Sequence, residues 1–258
     1  MKKTPKIGLG TWRLWGDECI SIVRSALNLG YSHIDTAFNY ENHSSIAKAI
    51  EGIPRDQFFI TSTVMLNQGD VETICETSLK ELGLDFLDMY LIHWPDRSQP
   101  MDLVIEKMER LKKQGKIRAY GVSNFTISHL QDMICLKAKL ASNQVEFHPY
   151  LYQKKLWDFC TEHNIDLVAY RPLGKGALLK DPIACQIASS YSKTPAQILL
   201  RWLYQKHIPF VVKASSEKHL QSNLLIEDFS LQDSDVLALD SLHCNQRFCN
   251  QSWSDFEY

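Results

Sequence analysis

The sequence lacks both a block of basic residues and an apolar run long enough to span a membrane. Its 28 lysines and arginines nearly balance 30 aspartates and glutamates, for a formal net charge of −2. Neither nucleic acid nor a membrane surface is therefore predicted as a partner. The first residues are basic, but only a few apolar residues broken by glycines follow them. We expect no signal peptide.

The sequence also lacks the cysteine and histidine patterns of disulfide or metal frameworks. Its 7 cysteines are scattered without a C-x-x-C pair, and its 9 histidines show no i, i+4 or clustered spacing. We therefore expect free thiols in a reducing cytoplasm and no metal site.

Short apolar segments alternate with stretches whose apolar residues recur at helical spacing. The segments predict strands at 7–12, 32–37, 58–64, 86–93, 117–122, 142–147, 165–170 and 210–213. One helix is expected over 71–82, ended by Gly83, and helical sequence is expected from about 183 to 206. No linker or shift in composition divides the chain, and no G-x-G-x-x-G supports a Rossmann sheet. The pattern predicts one α/β domain over residues 1–258, a (β/α)8 TIM barrel.

Polar side chains lie at or just after the ends of most predicted strands. They are Thr11, Trp12, Asp35, Tyr40, His93, Trp94, Ser123, Asn124, Gln144, Tyr170, Arg171 and Lys213. Taken alone, Asp35 and Tyr40 are as well explained by a buried hydrogen-bonded pair as by half of a proton-transfer site. A barrel, however, collects function at the carboxyl ends of its strands, which favours a site on one rim.

Seven motifs, in order along almost the full chain, resemble those of the aldo-keto reductase family, in its short, bacterial type. They are G-L-G-T-W at 8–12, H-I-D-T-A-F-N-Y at 33–40, Y-L-I-H-W-P at 90–95, G-V-S-N-F at 121–125, N-Q-V-E-F-H-P-Y at 143–150, A-Y-R-P-L-G at 169–174 and V-K-A-S-S at 212–216. The resemblance implies reduction of an aldehyde or ketone by NADPH, with NADH as a second candidate. It also leads us to expect a monomer.

The resemblance also implies catalytic roles. Tyr40 corresponds to the proton donor, His93 to the residue that orients the carbonyl, and Asp35 to the support of a lysine that lowers the pKa of the tyrosine. That lysine is replaced by Thr63. We then expect the pKa of Tyr40 to lie closer to the reference value of about 10 than it would beside a lysine. Asp35 should be partly protonated, or bridged by water to Thr63 or Tyr40.

Three interpretations of Thr63 remain open at this point. The chain is a reductase of reduced efficiency, or a non-catalytic NADPH-binding protein that acts as a sensor or partner subunit. Alternatively, Thr63 is an engineered or sequencing change in an active enzyme.

The resemblance assigns further residues to the cofactor. Ser123, Asn124 and Gln144 would hold the nicotinamide amide, and Tyr170 would stack on its ring. The remaining cofactor positions are Thr11, Trp12 and Asp35, the pyrophosphate loop with Arg171, Leu173 and Gly174, the 2′-phosphate pocket with Lys213, Ala214 and Ser215, and Asn223 at the adenine. His219 replaces a frequent arginine, which weakens the preference for NADP over NAD.

The substrate side is predicted from four residues, Trp12, Tyr40, His93 and Trp94. Residues 244–258 form only a short tail, so we expect a more open pocket than in longer family members.

Overall fold

The computed structural model describes residues 3–252 and 254–257. Eight parallel strands close into a barrel in which each strand pairs with its neighbours along the chain and β8 pairs with β1. The strands are β1 Ile7–Gly10, β2 His33–Asp35, β3 Phe59–Val64, β4 Leu87–Ile92, β5 Ile117–Ser123, β6 Ser142–Glu146, β7 Asp166–Tyr170 and β8 Phe210–Val212. The predicted (β/α)8 barrel is confirmed. β1 and β2 end earlier than the sequence predicts, so Thr11 and Trp12 belong to the loop after β1.

Helices follow the strands and cover the outside of the barrel. They are α1 Gly16–Asn28, α2 His43–Ile50, α3 Val71–Leu82, α4 Met101–Lys113, α5 Ile127–Cys135, α6 Lys154–Glu162, α7 Pro182–Ser190, α8 Pro195–Gln205, α9 Glu217–Leu224 and α10 Asp233–Asp240. No helix in the described part of the chain is both long and apolar enough to cross a membrane.

The helical sequence expected over 183–206 forms two helices, because the chain turns between α7 and α8. Ser192 has a φ of 53°, a left-handed conformation that interrupts helical hydrogen bonding. Thr194 then caps α8 and forms a capping box with Gln197, while Pro195 occupies the first helical turn. Both signals are typical of a helix start. Thr194 and Pro195 therefore indicate in the sequence that a new helix starts here.

α3 begins and ends where its sequence predicts. The side chain of Asp70 accepts hydrogen bonds from the backbone N–H groups of Glu72 and Thr73, which caps the helix. Gly83 ends it in the left-handed conformation, with a φ of 65°.

The strands bury both faces, as expected of a parallel barrel surrounded by helices. Alternate residues point inward, and Phe59, Met89, Leu91 and Ala119 form a small apolar cluster inside the barrel. Further along β3 the inward positions become polar, at Thr61 and Thr63. The barrel interior thus changes from apolar to polar towards the carboxyl ends of its strands.

Candidate active site

A cleft of about 250 Å³ opens at the carboxyl ends of the strands. It brings together these predicted site residues: Trp12, Asp35, Tyr40, His93, Trp94, Ser123, Asn124, Gln144, Tyr170, Arg171 and Lys213. Its wall also contains residues that the sequence analysis does not predict: Gly10, Asn39, Met65, Val211, Cys249 and Gln251. Of these, Gly10, Asn39, Met65 and Val211 lie within two residues of predicted site positions. No local sequence pattern indicates that Cys249 and Gln251 belong to the site.

The carboxyl group of Asp35 is paired with an amide. Asp35 ends β2 with 5% of its surface exposed, and Gln144 Nε2 on β6 donates to its Oδ2 at 2.7 Å. Burial raises the pKa of Asp35 to about 7, and the hydrogen bond from Gln144 opposes this rise. Partial protonation at neutral pH agrees with the expectation from sequence. The direct hydrogen-bond partner of this carboxyl group is Gln144, which the sequence does not predict.

Thr63 is instead paired with His93. Its Oγ1 lies 2.9 Å from Nδ1 of His93, the first residue after β4. The backbone N–H of His93 donates to the carbonyl of Val64 at 2.8 Å, which fixes the residue against β3. Burial lowers the pKa of His93 to about 4, so its ring is neutral at neutral pH.

Tyr40 faces His93 across the cleft. It ends a short 3-10 turn, Phe38–Tyr40, and its ring meets that of His93 edge to face with centroids 6.0 Å apart. Trp15 Nε1 donates to the backbone carbonyl of Tyr40 at 2.9 Å and holds the turn. Burial raises the pKa of Tyr40 above its ordinary value, and the charge of Asp35 raises it further. The sequence-based value near 10 is therefore too low, and Tyr40 is a neutral hydrogen-bond donor over the usual pH range.

A second set of hydrogen bonds links β5, β6 and β7 at the cleft floor. Asn124 has a φ of 66°, and its Nδ2 donates to the His93 carbonyl at 2.9 Å. Its Oδ1 accepts from the Tyr170 hydroxyl at 2.6 Å. Ser123 Oγ donates to the Gln144 carbonyl at 2.8 Å. These bonds present a polar amide beside the Tyr170 ring.

Two cationic side chains lie at the mouth of the cleft. The guanidinium of Arg171 lies 5.1 Å from the ring centroid of Trp12 and 5.9 Å from that of Tyr170. Its buried Nη1 has no hydrogen-bond partner within residues 3–252 and 254–257. Lys213 Nζ donates to the Arg13 carbonyl at 3.1 Å. Neither cation pairs with a carboxylate of the described residues, so both remain available to an anionic ligand.

Some predicted cofactor residues do not line this cleft. They are Thr11, Leu173, Gly174, Ala214, Ser215, His219 and Asn223. Thr11 is buried, and its Oγ1 donates to the Asp35 carbonyl at 2.9 Å. Leu173 and Gly174 follow β7, and Ala214 and Ser215 follow β8. His219 is exposed on α9, whereas Asn223 is buried there.

The chain after α10 returns to the cleft and forms part of its wall. The backbone N–H groups of Phe248 and Cys249 donate to the Glu146 carboxylate at 2.8 and 2.7 Å. His148 Nε2 also lies 3.0 Å from this carboxylate, which is fully buried. Further on, Phe256 packs against Trp94 with ring centroids 5.6 Å apart. The tail therefore forms part of the wall of the site, and a pocket more open than in longer family members stays a prediction.

Comparison with known proteins identifies close relatives. The Aldo/keto reductase family matches residues 6–243. Glyoxal reductase of Bacillus subtilis is 40% identical over 250 residues, which cover 94% of this chain and 90% of that protein. Methylglyoxal reductase DkgB of Salmonella typhimurium is 36% identical over 253 residues, covering 94% of each.

A solved structure has the same fold. The aldo-keto reductase MGS-M4, from a Medee basin deep-sea metagenome library, superposes with a TM-score of 0.92 at 36% identity. The match covers 97% of this chain and 95% of that one.

Proposed function

The chain belongs to the aldo/keto reductase family, and we propose that it uses NADPH to reduce a small aldehyde or ketone. The first substrates to test are glyoxal and methylglyoxal, which the names of two relatives indicate. One observation carries the proposal. A phenol and a neutral imidazole face each other in the cleft that Tyr170 and the cationic side chains of Arg171 and Lys213 also line.

The residues present suit a nicotinamide dinucleotide. Tyr170 offers an aromatic face for a planar ring, the Asn124 amide is hydrogen-bonded to its hydroxyl, and Gln144 lines the same cleft. Arg171, with its unpaired Nη1, and Lys213 suit phosphate groups. When bound, NADPH supplies the hydride. NADH is the alternative, since His219 stands on α9 where the resemblance leads us to expect an arginine.

The roles of the chain's own residues follow from the charge that develops on the carbonyl oxygen. The neutral ring of His93 can donate a hydrogen bond that orients the carbonyl. The Tyr40 hydroxyl can donate the proton that completes the alcohol. A phenol with a raised pKa is a weaker acid than one beside a lysine. Because general acid catalysis typically supplies about 10²–10⁴ in rate, we propose a reductase of reduced efficiency.

The second candidate function is NADPH binding without turnover. Thr63 favours binding without turnover, because it hydrogen-bonds to His93 and leaves Tyr40 without a cationic neighbour on β3. Retention of Tyr40, His93 and Asp35 in one cleft favours the reductase, since a binding protein does not need a proton donor there.

NADPH oxidation with a panel of aldehydes tests the proposal, together with a fluorescence titration of NADPH binding. We expect slow turnover by the native chain, a gain of about 10²-fold or more in Thr63→Lys, and almost none in Tyr40→Phe. Tight binding without turnover in either the native chain or Thr63→Lys would establish the binding protein instead. Absence of NADPH binding would refute both candidates.

A further inference from the structure

The contact between Thr63 and His93 has a direction that burial determines. Thr63 lies on the inner face of β3 with 3% of its surface exposed. A hydroxyl can donate or accept, and either ring nitrogen of a neutral histidine can carry the proton. The distance of 2.9 Å alone does not distinguish the two arrangements.

The surroundings of the hydroxyl do distinguish them. If Nδ1 of His93 carried the proton, it would donate to Thr63, and the hydroxyl proton would then need another acceptor. Across the described residues, Thr63 Oγ1 has no other hydrogen-bond partner than Nδ1 of His93. Leaving that proton buried and unpaired is unfavourable. The hydroxyl therefore donates to Nδ1, and the ring proton lies on Nε2.

The same tautomer suits the rest of the site. Nε2 of His93 has no hydrogen-bond partner among the described residues, and the ring lines the cleft. The low pKa of His93, about 4, keeps the ring neutral, so its tautomer decides whether the nitrogen facing the cleft donates or accepts. A carbonyl oxygen can only accept, so it requires the Nε2–H form.

We propose that Thr63 is a positioning residue whose hydroxyl holds His93 as the Nε2–H tautomer, ready to donate to the carbonyl oxygen of the substrate. The proposal rests on the proposed carbonyl reduction for its catalytic meaning, but not for the tautomer itself. Position 63 then supports His93 in this chain, whereas the family's lysine supports the tyrosine.

Nitrogen-15 NMR of histidine-labelled protein tests the tautomer without any turnover. His93→Gln identifies the His93 signals by difference, since the chain has 9 histidines. Thr63→Val removes the donor at almost constant shape, and Thr63→Ser retains it. At neutral pH we expect an unprotonated Nδ1 in the native chain and in Thr63→Ser, and a protonated Nδ1 fraction in Thr63→Val. A protonated Nδ1 in the native chain, or an unchanged signal in folded Thr63→Val, would overturn the proposal.

Steady-state kinetics with methylglyoxal test the consequence. Loss of one oriented hydrogen bond should lower kcat/KM of Thr63→Val about tenfold, while NADPH affinity stays unchanged and Thr63→Ser restores the rate. Equal rates in all three folded proteins would refute the positioning role and leave the proposed function intact. If no variant reduces any carbonyl, the proposed function fails, and the NMR result alone decides the tautomer.

Discussion

Gln144 on β6 donates its side-chain amide to the carboxyl of Asp35 on β2, at 2.7 Å across the barrel interior. An amide can stabilise a carboxyl group through a hydrogen bond but provides no countercharge. Asp35 therefore has a pKa raised by burial that this contact only partly offsets, to about 7. Both the stability and the activity of the protein should depend on this titration.

We predict that Asp35→Asn stabilises the protein at alkaline pH. The pKa of Asp35 is about 7 in the fold, whereas that of an unfolded aspartate is about 3.9. Between these values the folded protein holds a proton that the unfolded chain releases, so the free energy of unfolding falls as pH rises and levels off above about 7. Asparagine cannot ionise and still accepts from Gln144. Urea denaturation should show a gain on the order of 1–4 kcal/mol at about pH 8 and little gain near about pH 4. No difference at the higher pH would contradict the buried, ionising carboxyl.

The rate of reduction should fall as pH rises through about 7. Burial raises the pKa of Tyr40, and ionisation of the nearby Asp35 raises it further, which weakens the phenol as an acid. His93 stays neutral above about pH 4 and adds no inflection in this range. We expect a kcat profile with one inflection near 7, which Asp35→Asn removes. An inflection that persists in the variant would assign the titration to another group.

Glu146 should hold the tail on the cleft. Burial alone would raise its pKa, but hydrogen bonds from His148, Phe248 and Cys249 lower it below the ordinary value. The stabilisation is thus present above about pH 4.3, the ordinary value, and is lost as pH falls through the lower folded pKa. Glu146→Ala should cost about 2–4 kcal/mol of stability, because several hydrogen bonds to a charged group are lost. It should also expose residues 244–252 to limited proteolysis.

The matched control for this variant is Glu162→Ala, at an exposed position on α6. It should change neither the stability nor the proteolysis pattern. A tail that stays protected in Glu146→Ala would show that contacts such as Phe256 with Trp94 suffice to hold it.

The two cations at the mouth should contribute to dinucleotide affinity. Lys213→Ala and Arg171→Ala should each raise the Kd for NADPH about tenfold, with a smaller effect at high salt. If Lys213 contacts a 2′-phosphate, its loss should affect NADH much less than NADPH. Fluorescence titration measures the affinity of each variant for NADPH and for NADH. Lys218, which is exposed on α9, provides the control variant Lys218→Ala for a general charge effect. Equal losses in Lys218→Ala and Lys213→Ala would exclude a specific phosphate contact.

The barrel and its functional rim are predictable from sequence, because strand spacing and strand ends are local properties of the chain. Asp35, His93 and Lys213 converge once the barrel is known. Hydrogen-bond partners are not local, since they depend on which inward side chains meet across the barrel. The pairing of Thr63 with His93 is therefore visible only in the structure.

Two further features of the structure are not predicted from the sequence, and each has its own cause. Cys249 lines the cleft because a carboxylate on β6 binds the backbone of the tail, and backbone contacts leave no signature in the side chains of residues 244–252. The break between α7 and α8 is different. Thr194 and Pro195 mark it in the sequence, but the apolar pattern on either side predicts helical sequence without showing where the first helix ends.

The contact between Asp35 and Gln144 joins strands from the two halves of the chain, β1–β4 and β5–β8, whereas that between Thr63 and His93 lies within the first half. During folding, His93 can acquire its partner as soon as β3 and β4 pair. Asp35 obtains its donor only when the half-barrels have docked. The ionisation state of one carboxyl group is thus a spectroscopic reporter of barrel assembly, which infrared spectroscopy of its C=O stretch could follow in real time.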